Sequence, residues 1–348
     1  MALTRTRSCQ MRDLALSILD EVAGLDPSPG AYSNPKNRKS IPFACLYPHQ
    51  HTNQAAQHLY FMGRVNFWDI YHDIKGLMRR RTGEYVLQST PGWGKSYILA
   101  LLACLLMRRR KVIFIPECQS FSGSVFHEVR LSYALAYARD AQKFQYLMEM
   151  SSWDELINFT DYEHDIGVQP IFIIDGTRAE TLSYGNPSTI IAGDCRGILS
   201  DRNMSNLRRI SFDQILIRSS NSLSSTDQGS RIHTDGRFFF GGLTTIEMVW
   251  WWRYHEELER LPGLLQFRGT DEYNDKEAVA LRRDELQVLT GCNFHLLNAV
   301  LDLKDDSDTL GLSYDDFLSL LVQREPFRSI RAAVRDIAFS VGFIDSNM

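Results

Sequence analysis

Between the apolar run Tyr85-Val86-Leu87 and the unbroken apolar stretch from Tyr97 to Met107 lies Ser89-Thr90-Pro91-Gly92-Trp93-Gly94-Lys95-Ser96. A strand, a glycine turn and a helix in that order leave few folds open. Glycines let the backbone N–H groups of such a loop turn inward, and the helix start adds its positive end to the same place. A lysine then reaches the β- and γ-phosphates of a nucleotide, and a hydroxyl holds Mg²⁺. Gly92, Gly94, Lys95 and Ser96 supply these groups, with Pro91, Trp93 and Tyr97 as cradle neighbours. The pattern G-x-x-x-x-G-K-[ST] is met except at its first position, where Ser89 stands; an ordinary strand–turn–helix connection is the alternative.

With 348 residues, 44% of them hydrophobic and 23% charged, the chain suits one large domain or two modest ones. Leu14, Ile18, Leu19, Val22 and Leu25 have helical spacing, and Pro27 and Pro29 end that helix. The Pro-, Ser-, Asn- and Gly-rich stretch Asp26 to Pro48 reads as a linker, so residues 1–51 are expected as N-terminal helix and linker. A P-loop core over 52–242 and a helical C-terminal lid over 243–348 follow. Within the core, strands are predicted at Glu84–Gln88, Val112–Pro116, Pro170–Ile174, Phe212–Arg218 and Phe238–Phe240. The fold class is α/β: a roughly five-stranded, mostly parallel sheet between helices.

The third of these strands ends in Asp175. In a parallel sheet an acid at the carboxyl end faces the ligand crevice, where it holds Mg²⁺ together with Ser96. A turn-capping aspartate before Gly176 is the plainer reading. Gly176 also stands where hydrolytic relatives place a glutamate, so Glu117, at the end of the second strand, is the candidate water-activating base. Asn221, just past the fourth strand in Ser219-Ser220-Asn221, is the candidate that orients the water. No Asn/Thr-Lys-x-Asp loop is present for guanine, and no kinase signature set, so ATP and transfer to water are the expectation.

The order Gly94-Lys95-Ser96, Phe114-Ile115-Pro116-Glu117-Cys118, Ile171-Phe172-Ile173-Ile174-Asp175 and Phe240-Gly241-Gly242-Leu243, with Glu247 and Trp250-Trp251, resembles the AAA/STAND-like P-loop NTPase module of crinkler-type proteins. Thr290-Gly291-Cys292-Asn293 followed by Leu296-Leu297 is similar to a later block of that module. The resemblance implies an ATPase acting on or with nucleic acid, and an effector that is secreted and reaches a host nucleus. Ser89, Gly176 and Phe294 depart from the family pattern. The chain shows no targeting header or nuclease-like domain and reads as the NTPase module alone. An ATP-binding switch with little hydrolysis, or an interaction module without nucleotide, stays open.

Three basic clusters precede predicted strands: Arg79-Arg80-Arg81, Arg108-Arg109-Arg110-Lys111 and Arg208-Arg209. All should lie at the sheet edge opposite the phosphates, where they would form a patch for DNA or RNA, or serve as solvated helix ends. The last part of the chain reads as helices: Glu247–Leu261, Glu277–Leu289, Phe294–Leu303, Ser313–Val322 with a Ser313-x-x-Asp316 cap, and a final one through Ile330, Val334, Ile337 and Val341. A lid arginine, or one from a second copy in a homo-oligomer, is expected at the γ-phosphate, with Arg231, Arg268, Arg282 and Arg283 as candidates. Of Trp250, Trp251 and Trp252, some are expected in the core.

Six scattered cysteines without C-x-x-C spacing suggest reduced thiols, and Cys45, His49 and His51 lack a second ligand pair for a metal site. Asp306 to Gly311 imitates the start of a calcium loop, but Leu310 and Phe317 stand where oxygen ligands are needed. Asp302-Leu303-Lys304 is set aside as a nuclease motif because it lacks a strand. No apolar run reaches the roughly 18–20 residues of a membrane span, and no signal-like segment opens the chain, so an intracellular, non-membrane protein is expected.

Overall fold

Along the chain, α1 (Arg5–Gly24) is followed by a 3-10 turn (Pro29–Tyr32), β1 (Arg38–Pro42), β2 (His58–Met62), α2 (Phe67–Arg80), β3 (Gly83–Ser89), α3 (Lys95–Met107) and β4 (Val112–Ile115). Then come α4 (Val125–Ala136), α5 (Ala141–Glu149), α6 (Trp153–Asp165), β5 (Ile171–Ile174), α7 (Asp201–Ile210), β6 (Ile215–Ser220) and β7 (Thr234–Phe239). Four helices follow, α8 (Thr245–Glu257), α9 (Lys276–Thr290), α10 (Phe294–Asp305) and α11 (Tyr314–Gln323). The structure, a computed structural model, describes residues 5–46, 58–89, 92–116, 125–175, 201–211, 214–220, 234–239, 242–257, 276–305, 313–324 and 327–328.

Five strands form one sheet in the order β4-β5-β6-β3-β7, while β1 and β2 make a separate antiparallel pair. The neighbours β4 and β5, β5 and β6, and β6 and β3 are parallel. This is an α/β P-loop-type sheet with flanking helices and further helices at the C-terminal end. Every residue of Val112–Ile115 and of Ile171–Ile174 is buried, as expected of parallel strands covered on both faces. Gly236 on β7 is a close-approach glycine: a Cβ there would stand 2.6 Å from the carbonyl oxygen of Val86 on β3.

The chain divides into two compact units, Met1–Gln88 with Lys95–Phe238, and Ser89–Gly94 with Phe239–Met348. In the first, α3 is apolar all round and buried from Ile98 to Leu106. A helix without a polar face needs cover on every side. It packs on β4, β5 and β6 and also on α1 and β1. The helix α1 lends the buried stripe Ala15, Ile18, Leu19 and Val22, each large member worth about 1.5–3 kcal/mol when fully buried. The turn-rich stretch after it is anchored by Tyr32, whose buried ring meets Phe61 and Phe67 edge-on at 6.3 and 6.1 Å, and by Ile41 on β1. Composition makes the turns there, and two apolar side chains hold them to the core.

Further along this unit, α6 opens with a capping box between Ser152 and Glu155, and α5 with Asp140 accepting from the N–H groups of Gln142 and Lys143. In the second unit Trp251 and Trp252 are buried on α8, and Ser313 caps α11 by accepting from the N–H of Asp316. Residues 329–348, which include the last predicted helix, lie outside the described residues. No described helix is long and apolar enough to cross a membrane.

Candidate functional site

The strand ends gather the polar residues of the first unit. Register pairs Ile115 of β4 with Ile174 of β5, and Ile174 with Arg218 of β6, so the residues after Ile174 and after Arg218 stand side by side. These are Asp175 and Ser219. The N–H of Asp175 donates to the Ile115 carbonyl at 2.9 Å, extending the parallel pairing by one residue. Its Oδ1 accepts from Ser219 Oγ at 2.5 Å, and both residues are buried, Asp175 with 5% exposure. A charged carboxylate so enclosed needs such a donor. Arg218 beside it is buried and ion-paired to Glu84 on β3, which ties the central strand to its neighbour.

The helix after the loop begins with Lys95, 7% exposed. Burial pulls its ammonium down to about 8, with the charge of Asp175 opposing part of that shift. Ser96 is exposed, and Tyr97 is about a third exposed at 36%. Sequence reasoning selects Asp175 but passes over Ser219 in favour of Asn221. That Ser219 meets Asp175 depends on which strand lies next to β5, and β6 stands between β5 and β3 although β3 comes first in the chain. Strand order is a long-range property that apolar periodicity does not carry.

The loop itself belongs to the second unit. Gly92 has φ +77° and Gly94 φ +99°, both in the left-handed region that glycine enters without strain. Trp93 between them is buried, with 2% exposure, and its ring stacks on Phe239 at 4.4 Å and 12°. The amide of Asn293 fills the space beside Gly92. In sequence Asn293 stands out only as part of a motif; the glycine at 92 is its one local signal, since a Cβ there would overlap the Asn293 amide.

Pro91, Glu117 and Asn221 lie outside the described residues, as do Gly176, Arg231 and Arg268. Arg282 is in α9 with its side chain outside the described part, and Arg283 is ion-paired to Glu256 at 3.6 Å and sits over the Trp252 ring at 5.5 Å. In the basic clusters, Arg80 pairs with Asp235, Arg108 donates to the Leu25 carbonyl, and Lys111 donates to the Ala136 carbonyl at 2.8 Å. Arg79, Arg81, Arg109, Arg110 and Arg209 are exposed, and the Arg208 side chain is outside the described part. Asp302 lies on helix α10, away from any strand context.

No protein-family model matches the chain, and no curated protein matches it. Among solved structures it is similar to PCH-2 of C. elegans, at 12% identity over 78% of this chain and 69% of that one, with a TM-score of 0.36. It is also similar to a chain of the E. coli MS115-1 HORMA:CdnC:Trip13 complex, at 13% identity over 81% of this chain and 85% of that one, with a TM-score of 0.28. Both scores are low, and the P-loop-type scaffold is read from strand order and the loop between β3 and α3.

Proposed function

We propose that the chain is a P-loop NTPase that binds ATP with Mg²⁺ and hydrolyses it. The observation that carries this is one continuous segment, Gly92 to Ser96, in which two left-handed glycines lead directly into a helix opened by a buried lysine. Two such glycines leave the loop backbone free to turn its amides toward an anion, and the buried Lys95 ammonium, pulled down by desolvation, is a group whose charged form a bound anion would favour. The buried Asp175 adds the carboxylate that Mg²⁺ needs. The residues therefore fit a magnesium nucleotide.

In this reading Lys95 neutralises the β/γ-phosphate oxygens, while Ser96 and Asp175 hold the Mg²⁺, whose charge supports phosphoryl transfer. Ser219 fixes the Asp175 carboxylate, and Glu117 takes the proton of the attacking water, which Asn221 orients. Gly176 and Ser89 favour slow turnover, which makes an ATP-binding switch the second reading.

One paired assay separates the two. Tryptophan emission on adding Mg-ATP and phosphate release over time are followed in wild type and Lys95→Ala, with Trp93→Phe identifying the reporter. Because Trp93 is buried against Phe239, its emission responds to movement of the loop. Binding with release, both lost in Lys95→Ala and release alone lost in Glu117→Gln, is the expected result; binding without release selects the switch. Neither, in folded protein, removes the nucleotide reading. The crinkler-type resemblance extends the proposal to DNA or RNA, with Arg79, Arg81, Arg109, Arg110 and Arg209 as exposed cations. Salt-insensitive binding, or none, would refute that extension.

A further inference from the structure

Two glycines of the second unit press on the same turn. At Gly242 the position of a Cβ lies 1.9 Å from both the carbonyl carbon and oxygen of Cys292 and 2.4 Å from the nitrogen of Asn293. At Gly92 it lies 2.1 Å from Oδ1 of Asn293 and 2.8 Å from its Cγ and Nδ2. Gly242 therefore rests on the backbone of the turn, and the phosphate loop on the side chain that the turn presents. The N–H of Leu243 donates to the Cys292 carbonyl at 2.6 Å, which holds the first of these contacts in place.

The turn is itself fixed from both sides. It closes α9 with two successive left-handed residues, Gly291 and Cys292, each at φ +56°. Cysteine has a Cβ and adopts that conformation only when its surroundings impose it. The N–H groups of Gly291 and Cys292 return to the carbonyls of Val288 and Gln287 at 3.3 and 3.2 Å, and the buried Thr290 hydroxyl donates to Leu286 at 2.7 Å. On the other side Oδ1 of Asn293 accepts from the N–H of Leu296 at 3.3 Å, capping the start of α10. Asn293, 6% exposed, has little freedom left.

Helix capping does not require asparagine at this place. Aspartate caps equally well and has the same shape. The differences are the charge and the lost Nδ2 donor, and an acid here would set a carboxylate beside Gly92, in the loop whose amides face phosphate oxygens in the nucleotide reading. We infer that Asn293 is a positioning residue for the phosphate loop, its neutral amide setting the conformation at Gly92 and tying the loop to the α9–α10 turn. The inference rests on the nucleotide reading and deepens it. A nucleotide that orders the loop then also orders the turn, and by linkage whatever favours the ordered turn favours nucleotide binding.

The decisive variants are Asn293→Asp and Asn293→Gly in the full chain, with wild type beside them. Mg-ATP affinity is measured by titration calorimetry, folding by melting temperature, and loop conformation by tryptophan emission with Trp93→Phe subtracted. Asn293→Asp keeps the cap and should melt as wild type does, yet bind Mg-ATP at least tenfold more weakly at neutral pH. Measured against wild type at each pH, that deficit should shrink as the pH falls toward the ordinary carboxylate value of about 4. Affinity within twofold of wild type at neutral pH would make Asn293 a helix cap and nothing more. If wild type itself binds no Mg-ATP, the nucleotide reading fails, and the ligand-free arm still decides the positioning claim. Asn293→Gly should then shift the Trp93 emission to the red, and an unchanged spectrum overturns the inference.

Discussion

Replacing Lys95 by methionine should make the ligand-free protein more stable. The ammonium is 7% exposed and displaced from its ordinary 10.5 to about 8, chiefly by burial, so the folded state carries a charge it would rather not hold. That difference is worth about 3 kcal/mol at pH 7. Methionine has a similar length, no charge and no desolvation cost, and should recover most of this. For a unit of this size the expected rise in melting temperature is about 6–12 °C. The sign of the pH dependence follows from the direction of the shift. Between pH 8 and 10.5 the unfolded chain binds a proton that folded Lys95 has released, so wild-type stability rises with pH through that window. The advantage of Lys95→Met should therefore be full below pH 8, about 2 kcal/mol at pH 9 and near zero at pH 11. Mg-ATP at a hundred times its dissociation constant should stabilise wild type by about 2.7 kcal/mol and leave the variant unmoved. Thermal melts across pH, with and without nucleotide, measure all of this. A variant that melts at or below wild type at pH 7 without ligand would refute the argument.

Gly92→Ala should cost about 1–2 kcal/mol for the left-handed backbone and about 1–3 more for overlap with Asn293. In an Asn293→Gly background, where the lost cap costs only a few tenths, the overlap part should vanish; urea unfolding that finds the two changes additive within about 0.5 kcal/mol would show that the residues do not touch. Lys143→Ala removes the ion-pair partner of the buried Glu163, whose Oε1 it meets at 2.5 Å, and should cost about 2–4 kcal/mol, whereas replacing both by apolar residues should restore most of it. Ser219→Ala removes the donor to Asp175 and should destabilise by about 1–2 kcal/mol while weakening the Mg²⁺ dependence of phosphate release. An unaltered Mg²⁺ titration would separate Ser219 from metal binding.

The α/β core is legible in the chain because each of its signals is local. Val112–Ile115 and Ile171–Ile174 are continuous apolar runs, and a continuous run can only be a strand covered on both faces or part of a buried helix. The C-terminal helices announce themselves in the same way, down to the Ser313 cap. The basic clusters show the limit of such reading. Arg108 and Lys111 look like rim charges, but both donate to backbone carbonyls, and only Arg109 and Arg110 between them are exposed. A run of like charge has one appearance in sequence whether its members meet water or close off a turn.

What sequence does not carry is adjacency between distant segments, and the candidate site is made of it. Ser219 meets Asp175 only because β6 is inserted between β5 and β3. Asn293 meets Gly92 across most of the chain, and the two motif blocks containing Gly242 and Cys292 are neighbours because the carbonyl of one occupies the place of a side chain on the other. The contacts at Gly92 and Gly242 nonetheless leave a mark in the sequence, as does the packing of α3: a residue that is too small or too apolar for its local role. Glycine stands at 92 and 242 where another backbone or side chain arrives, and α3 is apolar on faces that the sheet alone does not cover, which calls for α1. Such misfits of residue to element say that a partner exists, and the topology then says which one.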